Sequence, residues 1–477
     1  MATYTYQHTQ RRKSYMQDNI RAILSTVLAK IKPTTDERDE LARLAQRIAG
    51  YIREEGVECK LVGSGARGTW ISGEHDLDLF IMLPTTLTRE ELETEGLRIA
   101  KSVAERADSY EIRYAEHPYI HARFSGYRVD LVPCYRVSSV NELKSAVDRT
   151  PFHNQYILSR IGGLEDDVLL LKQFMKCARV YGSELRVRGF SGFLCELLVL
   201  HYGSFLAVLE NACDWRDGLL IETEVCASQR AAEAVPGKVW EPLHVIDPTD
   251  PNRNVAAALS LDQFYVFVDA ARGFLAEPSI EYFFSEPAPR ITKSEIIAAM
   301  KARGTALFAL VFEIPDMVED IVYPQLYKMR HSVSCLLKEH EFRVLGGAVG
   351  VQSASKTTDT VVLLIELVSG ELPPLKKHIG PPVYMRAHAE RFKMKFMDKD
   401  TFSDIYIENG RYVVDIHRRY TSAKHLLESE LHSCALGKQM GECVRAGYAV
   451  LEGEEIVDVV DPGFLNRYFK RRTCHVS

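Results

Sequence analysis

The sequence predicts a multidomain α/β and α+β protein: a mixed sheet with helices first, a mainly helical middle, then a small α+β body and tail. Three observations predict it. A helix-period stretch feeds a strand, a glycine-rich turn and a second strand between residues 36 and 84; helical patterns occupy 165–178 and 189–212; strand, helix, strand, strand patterns follow 291. At roughly 100 to 200 residues per domain, the 477 residues hold several cores, with expected divisions at 1–150, 151–275 and 276–477.

Each element has its own signal. Leu41, Leu44, Ala45, Ile48 and Ile52 repeat at helical spacing behind Thr34 and Glu37, which have capping-box spacing. The stretch VECKLVGSGARGTWISGEHDLDLFIMLP then reads as strand, glycine turn and strand, ended by Pro84. A helix is expected from about Thr88 to Arg106, and a hairpin turning at Ser125 and Gly126. Helical spacing resumes from Glu165 to about Ala178, and GFSGFLCELLVLHYGSFLAVLENA reads as one long buried helix. The proline-rich, acidic EPSIEYFFSEPAPR marks a boundary, with a new domain from about Ile291; the last hundred residues carry weaker patterns.

Composition is that of ordinary globular domains, 46% hydrophobic and 26% charged. The net charge of -6 gives no overall basic field, so contact with nucleic acid must come from local patches. Ten cysteines form no C-x-x-C pair and no zinc spacing, which predicts reduced packing residues. No apolar run has the length of a membrane span and the N-terminus lacks a signal-peptide core; the expectation is a cytoplasmic protein that contacts no membrane.

The chemistry concentrates in Gly63-Ser64, Arg67-Gly68-Thr69 and Asp76-Leu77-Asp78. On a strand, Asp76 and Asp78 share one face while Leu77 and Leu79 enter the core. Paired carboxylates repel unless a cation lies between them, and hard oxygen donors suit Mg²⁺. Asp130, in Val129-Asp130-Leu131, repeats the alternation and supplies a third carboxylate; two ions about 3.5 to 4 Å apart would then serve in-line phosphoryl transfer. The glycine turn brings backbone N–H groups, Ser64 and Arg67 to phosphate oxygens, and it is not a Walker A loop.

The segment GSGARGTWISGEHDLDLF resembles the signature of polymerase-β-like nucleotidyltransferases, and GYRVDLVPCYRV resembles the strand bearing their third aspartate. RYAEHPYIH, SAVDRTPFHNQYI, VRGFSGFLCELLVLHYGSF and VIDPTDPNRNVAAALS are similar to archaeal, class I CCA-adding enzymes, a likeness that covers nearly the whole chain. The resemblance implies a nucleotidyltransferase head with N-terminal helices, a helical neck, and body and tail domains. It also implies that CTP and ATP are added as C, C and A to the 3′ end of tRNA, with two Mg²⁺ held by Asp76, Asp78 and Asp130. Ser64, Arg67, His153, Lys172 and Tyr181 would bind the nucleotide's phosphates, Arg253 would help to choose CTP or ATP, and Glu116 and His117 would lie near the primer end. Relatives that carry Glu-x-Asp differ from Asp76-Leu77-Asp78, and the RRD signature of the bacterial and eukaryotic class is absent, Arg418-Arg419-Tyr420 not replacing it.

Cations interleaved with aromatics at Lys376, Lys377, Arg391, Lys393, Arg418 and Arg419 can neutralise phosphates; the resemblance implies that the body and tail carrying them bind the acceptor and T arms of a tRNA, and it favours a homodimer. Two other readings compete: a poly(A) polymerase or other terminal transferase on the same head, and a catalytically inactive RNA-binding protein. The three aspartates argue against the last, because an inactive site has no need to keep carboxylates that repel one another.

Overall fold

Two helices open the chain, α1 (Ala2–Ile31) and α2 (Thr35–Glu54). The second starts where its capping box closes: Glu37 N donates to Thr34 Oγ1 at 3.2 Å and Thr34 N donates to the Glu37 carboxylate at 2.8 Å. The chain continues through β1 (Glu58–Val62), the short α3 (Gly63–Arg67), β2 (Asp76–Leu83), α4 (Arg89–Ala104), β3 (Ser109–Tyr114), β4 (Pro118–Phe124) and β5 (Tyr127–Tyr135). These strands form one mixed sheet in the order β1-β2-β5-β4-β3, where β2 and β5 run parallel and their neighbours antiparallel. Leu41, Ile48 and Ile52 of α2, with Ile99 and Val103 of α4, bury one sheet face against Leu77, Leu79, Ile81, Val129 and Leu131. Strand alternation then turns Asp76, Asp78 and Asp130 to the opposite face.

The coordinates come from a computed structural model, which describes residues 2–114, 116–222, 241–284, 291–315, 317–353 and 358–470. Cys226, Cys474 and the proline-rich stretch 285–290 of the expected boundary lie outside them. The other eight cysteines are free thiols, as expected.

The helical part comprises α5 (Thr150–Leu158), α6 (Glu165–Cys177), α7 (Gly192–Tyr202), α8 (Phe205–Ala212) and, after the short strands β6 (Leu219–Ile221), β7 (Leu243–Asp247) and β8 (Asp250–Asn254), α9 (Leu261–Ala276). Its core is rich in aromatics: Phe174 has Phe205, Phe267, Phe274, Tyr282 and Phe283 around it, with ring centroids 5.7 to 6.3 Å away. Val27 and Ile31 of α1, and Ile71 from the loop after α3, pack into the same core. The sheet and this helical part therefore share one compact unit, Met1–Pro287.

The long helix expected over 189–212 is corrected by the structure to two, α7 and α8, bent by 90°. Gly203 ends α7 at φ 87°, and Ser204 caps α8 by accepting from Ala207 N at 3.1 Å. Among the described residues no single helix is long and apolar enough to cross a membrane.

The second unit, Ala288–Arg471, follows the expected α+β pattern. It contains α10 (Lys293–Arg303), β9 (Ala306–Pro315), α11 (Glu319–Glu339), β10 (Val344–Ser353), β11 (Thr358–Leu367), β12 (Leu375–Pro382), α12 (Arg386–Phe396), β13 (Tyr406–Glu408), β14 (Arg411–His417), α13 (Ala423–Glu430), α14 (Lys438–Ala446), β15 (Ala449–Glu452), α15 (Glu455–Val459) and α16 (Pro462–Lys470). The sheet β10-β11-β9-β15 is covered on one face by Leu326, Met329 and Val333 of α11 and on the other by Ile296, Ile456 and Phe464. A smaller sheet, β12-β14-β13, packs Val414 on Phe392 and Phe396 of α12.

Candidate active site

Parallel pairing sets Asp78 beside Asp130 and Asp76 beside Arg128, while antiparallel pairing sets His121 of β4 beside Asp130. In-register neighbours project from the same face, so the three carboxylates share one edge of the sheet. Burial, then Asp130 and Asp76, push the Asp78 carboxyl up to about 7, and Arg67 opposes them. Asp130 is also raised, chiefly by burial, although the His121 Nδ1 contact at 2.6 Å counteracts it. Gly63, at φ 74°, stands where a Cβ would collide with Asp78 Oδ2, so only glycine leaves that oxygen its place.

These observations fit a divalent cation. The donors are hard carboxylate oxygens, and their mutual repulsion is the deficit that a dication relieves. As the side chains stand, no three His, Cys, Asp or Glu among the described residues already form a ligand shell. Both Asp76 oxygens face Arg128, the Nη2 bond being 2.8 Å long.

The expected glycine turn is a single helical turn, α3, ended by Gly68 in the left-handed conformation at φ 69°. It carries Ser64, half-buried, and Arg67, which is buried against the helical part. Arg67 Nε donates to Glu196 Oε1 of α7 at 2.9 Å and its Nη1 to Asn154 of α5 at 3.2 Å. Thr69 Oγ1 donates to the same Glu196 oxygen at 2.6 Å, and Lys172 Nζ donates to Thr69 O at 2.7 Å. Burial lowers the pKa of Lys172, and nearby Glu196 restores part of it. Lys176, one turn further along α6, pairs with Glu74 and lies 5.0 Å from the Tyr181 ring centroid.

Lys172 and Tyr181 converge on Gly192, the first residue of α7, whose absent Cβ would lie 3.6 Å from Lys172 Nζ and 3.0 Å from the Tyr181 hydroxyl. Next to it, Phe193 stacks on the His153 ring at 4.1 Å. His153 Nε2 meets Asp247 Oδ2 at 2.8 Å, and Arg253 Nη1 donates to that oxygen at 2.7 Å. Thr249 N and Oγ1 each donate to Asp247 Oδ1 at 2.8 Å, so both oxygens of this buried carboxylate are engaged. His153 is held below its ordinary pKa by burial, with Asp247 opposing.

The remaining candidates are placed as follows. His117 is buried with Nδ1 3.2 Å from Glu93, and Glu116 accepts from Ala146 N at 2.6 Å. In the second unit, Lys376 and Arg418 pair with Glu341, Lys377 with Glu408, Lys393 with Glu390 and Arg419 with Glu430. Arg391 faces His388 at 3.2 Å. Solvent screens the exposed pairs among these, so each contributes little to stability.

Sequence reasoning missed Arg128, His121, Glu196 and Asp247. Glu196 had a visible signal, a lone carboxylate inside the apolar run GFLCELLVL. Asp247 looked like one of several turn acids in VIDPTD, and nothing along the chain pairs Arg128 with Asp76 before the strands align.

A mixed sheet that gathers carboxylates from two adjacent parallel strands, next to cations buried at its junction with a helical part, is the architecture of a nucleotidyltransferase. Family models agree along the chain: "Nucleotidyltransferase domain" matches 45–153, "tRNA nucleotidyltransferase, second domain" 166–284, and "CCA-adding enzyme, C-terminal domain" 303–453. The chain belongs to the CCA-adding enzyme family. It is 48% identical to the CCA-adding enzyme of Methanosarcina mazei across 94% of this chain and 96% of that one. It is 42% identical to those of Methanoregula boonei and Halobacterium salinarum, each time over 93% of this chain and 94% and 96% of theirs.

Proposed function

We infer that this chain extends tRNA 3′ ends with C, C and A from CTP and ATP without a nucleic-acid template, releasing pyrophosphate. The observation that carries this reading is identity above 40% to enzymes of that name over nearly the full length of both chains. Asp76, Asp78 and Asp130 are assigned as ligands of two Mg²⁺, which when bound would supply Lewis acidity to the α-phosphate and the attacking 3′-oxygen. Ser64, Arg67, His153, Lys172 and Tyr181 are assigned to the triphosphate. Buried cations at the α7 N-terminus, where the helix dipole adds positive potential, suit that charge. The acceptor and T arms would lie on the basic residues of the second unit, with residues 1–150, 151–275 and 276–477 serving as head, neck, and body with tail.

Incubation with tRNA lacking its terminal triplet, Mg²⁺, CTP and ATP tests the reading. Addition of C, C and A followed by arrest is the expected result; open-ended A tails would indicate a poly(A) polymerase, and binding without extension an inactive RNA-binding protein.

Arg253→Ala is expected to blur the choice between CTP and ATP. The guanidinium, 39% exposed and anchored on Asp247, can present its remaining donors to a base edge, a contact worth about 1 to 3 kcal/mol of discrimination. The ratio of kcat/KM for the two nucleotides, measured on tRNA ending at the second C, checks this. An unchanged ratio would remove Arg253 from base selection.

A further inference from the structure

We propose that Arg128 is a positioning residue that occupies Asp76 in the resting protein and yields it to the incoming divalent cation, so that Arg128 sets how tightly the nucleotide-free protein binds metal. This rests on the carboxylate assignment above and adds a competitor to it.

The geometry is that of a fork on a carboxylate. Arg128 of β5 is the in-register neighbour of Asp76 on β2; its Nε donates to Asp76 Oδ1 and its Nη2 to Oδ2 at 2.8 Å. Both oxygens are thus engaged by one guanidinium, and a cation that approaches an Asp76 oxygen competes with it for the same carboxylate charge. Asp130 differs, being held through one oxygen by a histidine.

The pair is also built to open. The Arg128 and Asp76 side chains are 47% and 51% exposed, so solvent screens the pair and holds it weakly. Arg128's backbone is fixed independently, since its N donates to His75 O at 2.7 Å, so releasing the side chain leaves the strand pairing intact. In the resting protein the guanidinium lowers the repulsion among three clustered acids. Once displaced, it stays at the sheet edge beside the site, with its donors available to an anion.

Binding of Mn²⁺, followed by the electron paramagnetic resonance signal of the free ion, tests this on the full chain without nucleotide. Losing the fork and a unit positive charge beside a dication site is expected to tighten binding about three- to tenfold in Arg128→Gln. Arg128→Lys, which keeps the charge but not the fork, should fall between that variant and wild type. Arg113→Gln removes a nearby cation whose side chain bonds to Glu111 and Tyr119, neither of them a carboxylate of the site, and is expected to change affinity little. Unchanged or weaker binding in Arg128→Gln overturns the proposal, as does equal tightening in Arg113→Gln. Asp78→Asn separates the two levels. If it abolishes Mn²⁺ binding while Arg128→Gln has no effect, only the counterion role fails; if it leaves binding intact, the carboxylate site itself is misassigned.

Discussion

Asp78→Asn is expected to lower nucleotidyl transfer at least about a thousandfold, because one lost ligand withdraws several kcal/mol of charge stabilisation from the transition state. Affinity for tRNA should hardly change, since the residue belongs to the first unit and the basic residues assigned to the acceptor and T arms belong to the second. The same substitution should make the metal-free protein more stable at alkaline pH. The Asp78 carboxyl is raised in the native state, from an ordinary 3.8 to about 7. The folded form therefore binds the proton more tightly than the unfolded form, and its stability advantage is complete below pH 4 and lost as pH rises towards 7. Asparagine has no such charge to desolvate, so at pH 8 the variant should melt above wild type when a chelator is present. Mg²⁺ should narrow the gap by stabilising wild type alone. Residual transfer above one per cent of wild type would remove Asp78 from the metal site, and a lower melting point at pH 8 would contradict the stated environment.

Glu196→Ala is expected to destabilise the first unit by about 3 to 5 kcal/mol, the usual cost of stranding one member of a buried ion pair. Glu196 is fully buried and receives both Arg67 and Thr69, while Lys172, itself buried, donates to the Thr69 carbonyl. Removing the acid leaves two cations without their common counter-charge at the junction of sheet and helices. Replacing Arg67 and Glu196 together by apolar residues of similar volume should be milder, because no unpaired charge remains. Denaturant unfolding of the two variants beside wild type checks this. A single-variant loss below 1 kcal/mol, or a double variant no better than Glu196→Ala, would show that the network contributes little.

Local chemistry made much of the first unit legible. The capping-box spacing of Thr34 and Glu37 marked the start of α2, and the core face at the head of β2 follows from the alternation Asp76-Leu77-Asp78-Leu79. Asp76, Asp78 and Asp130 were legible because period-two patterning alone places each on a defined strand face. The break between α7 and α8 was obscured because an unbroken apolar run hides a cap when a single Gly-Ser pair is the only punctuation. The tail was harder still. Its strands β13 and β15 span three and four residues, too short for a period to establish itself.

The sequence by itself determined the class of chemistry, because Asp76-Leu77-Asp78 after a glycine turn, and Asp130 on a second apolar strand, are each patterns set by near neighbours. Only the tertiary structure decided what holds those acids and their cations. Glu196 meets Arg67 across 129 positions, His153 meets Asp247 across 94, and Arg128 reaches Asp76 across 52. The physical reason is range: backbone periodicity is set by near neighbours along the chain, whereas the partner that neutralises a buried or clustered charge is chosen by which strands and helices pack together.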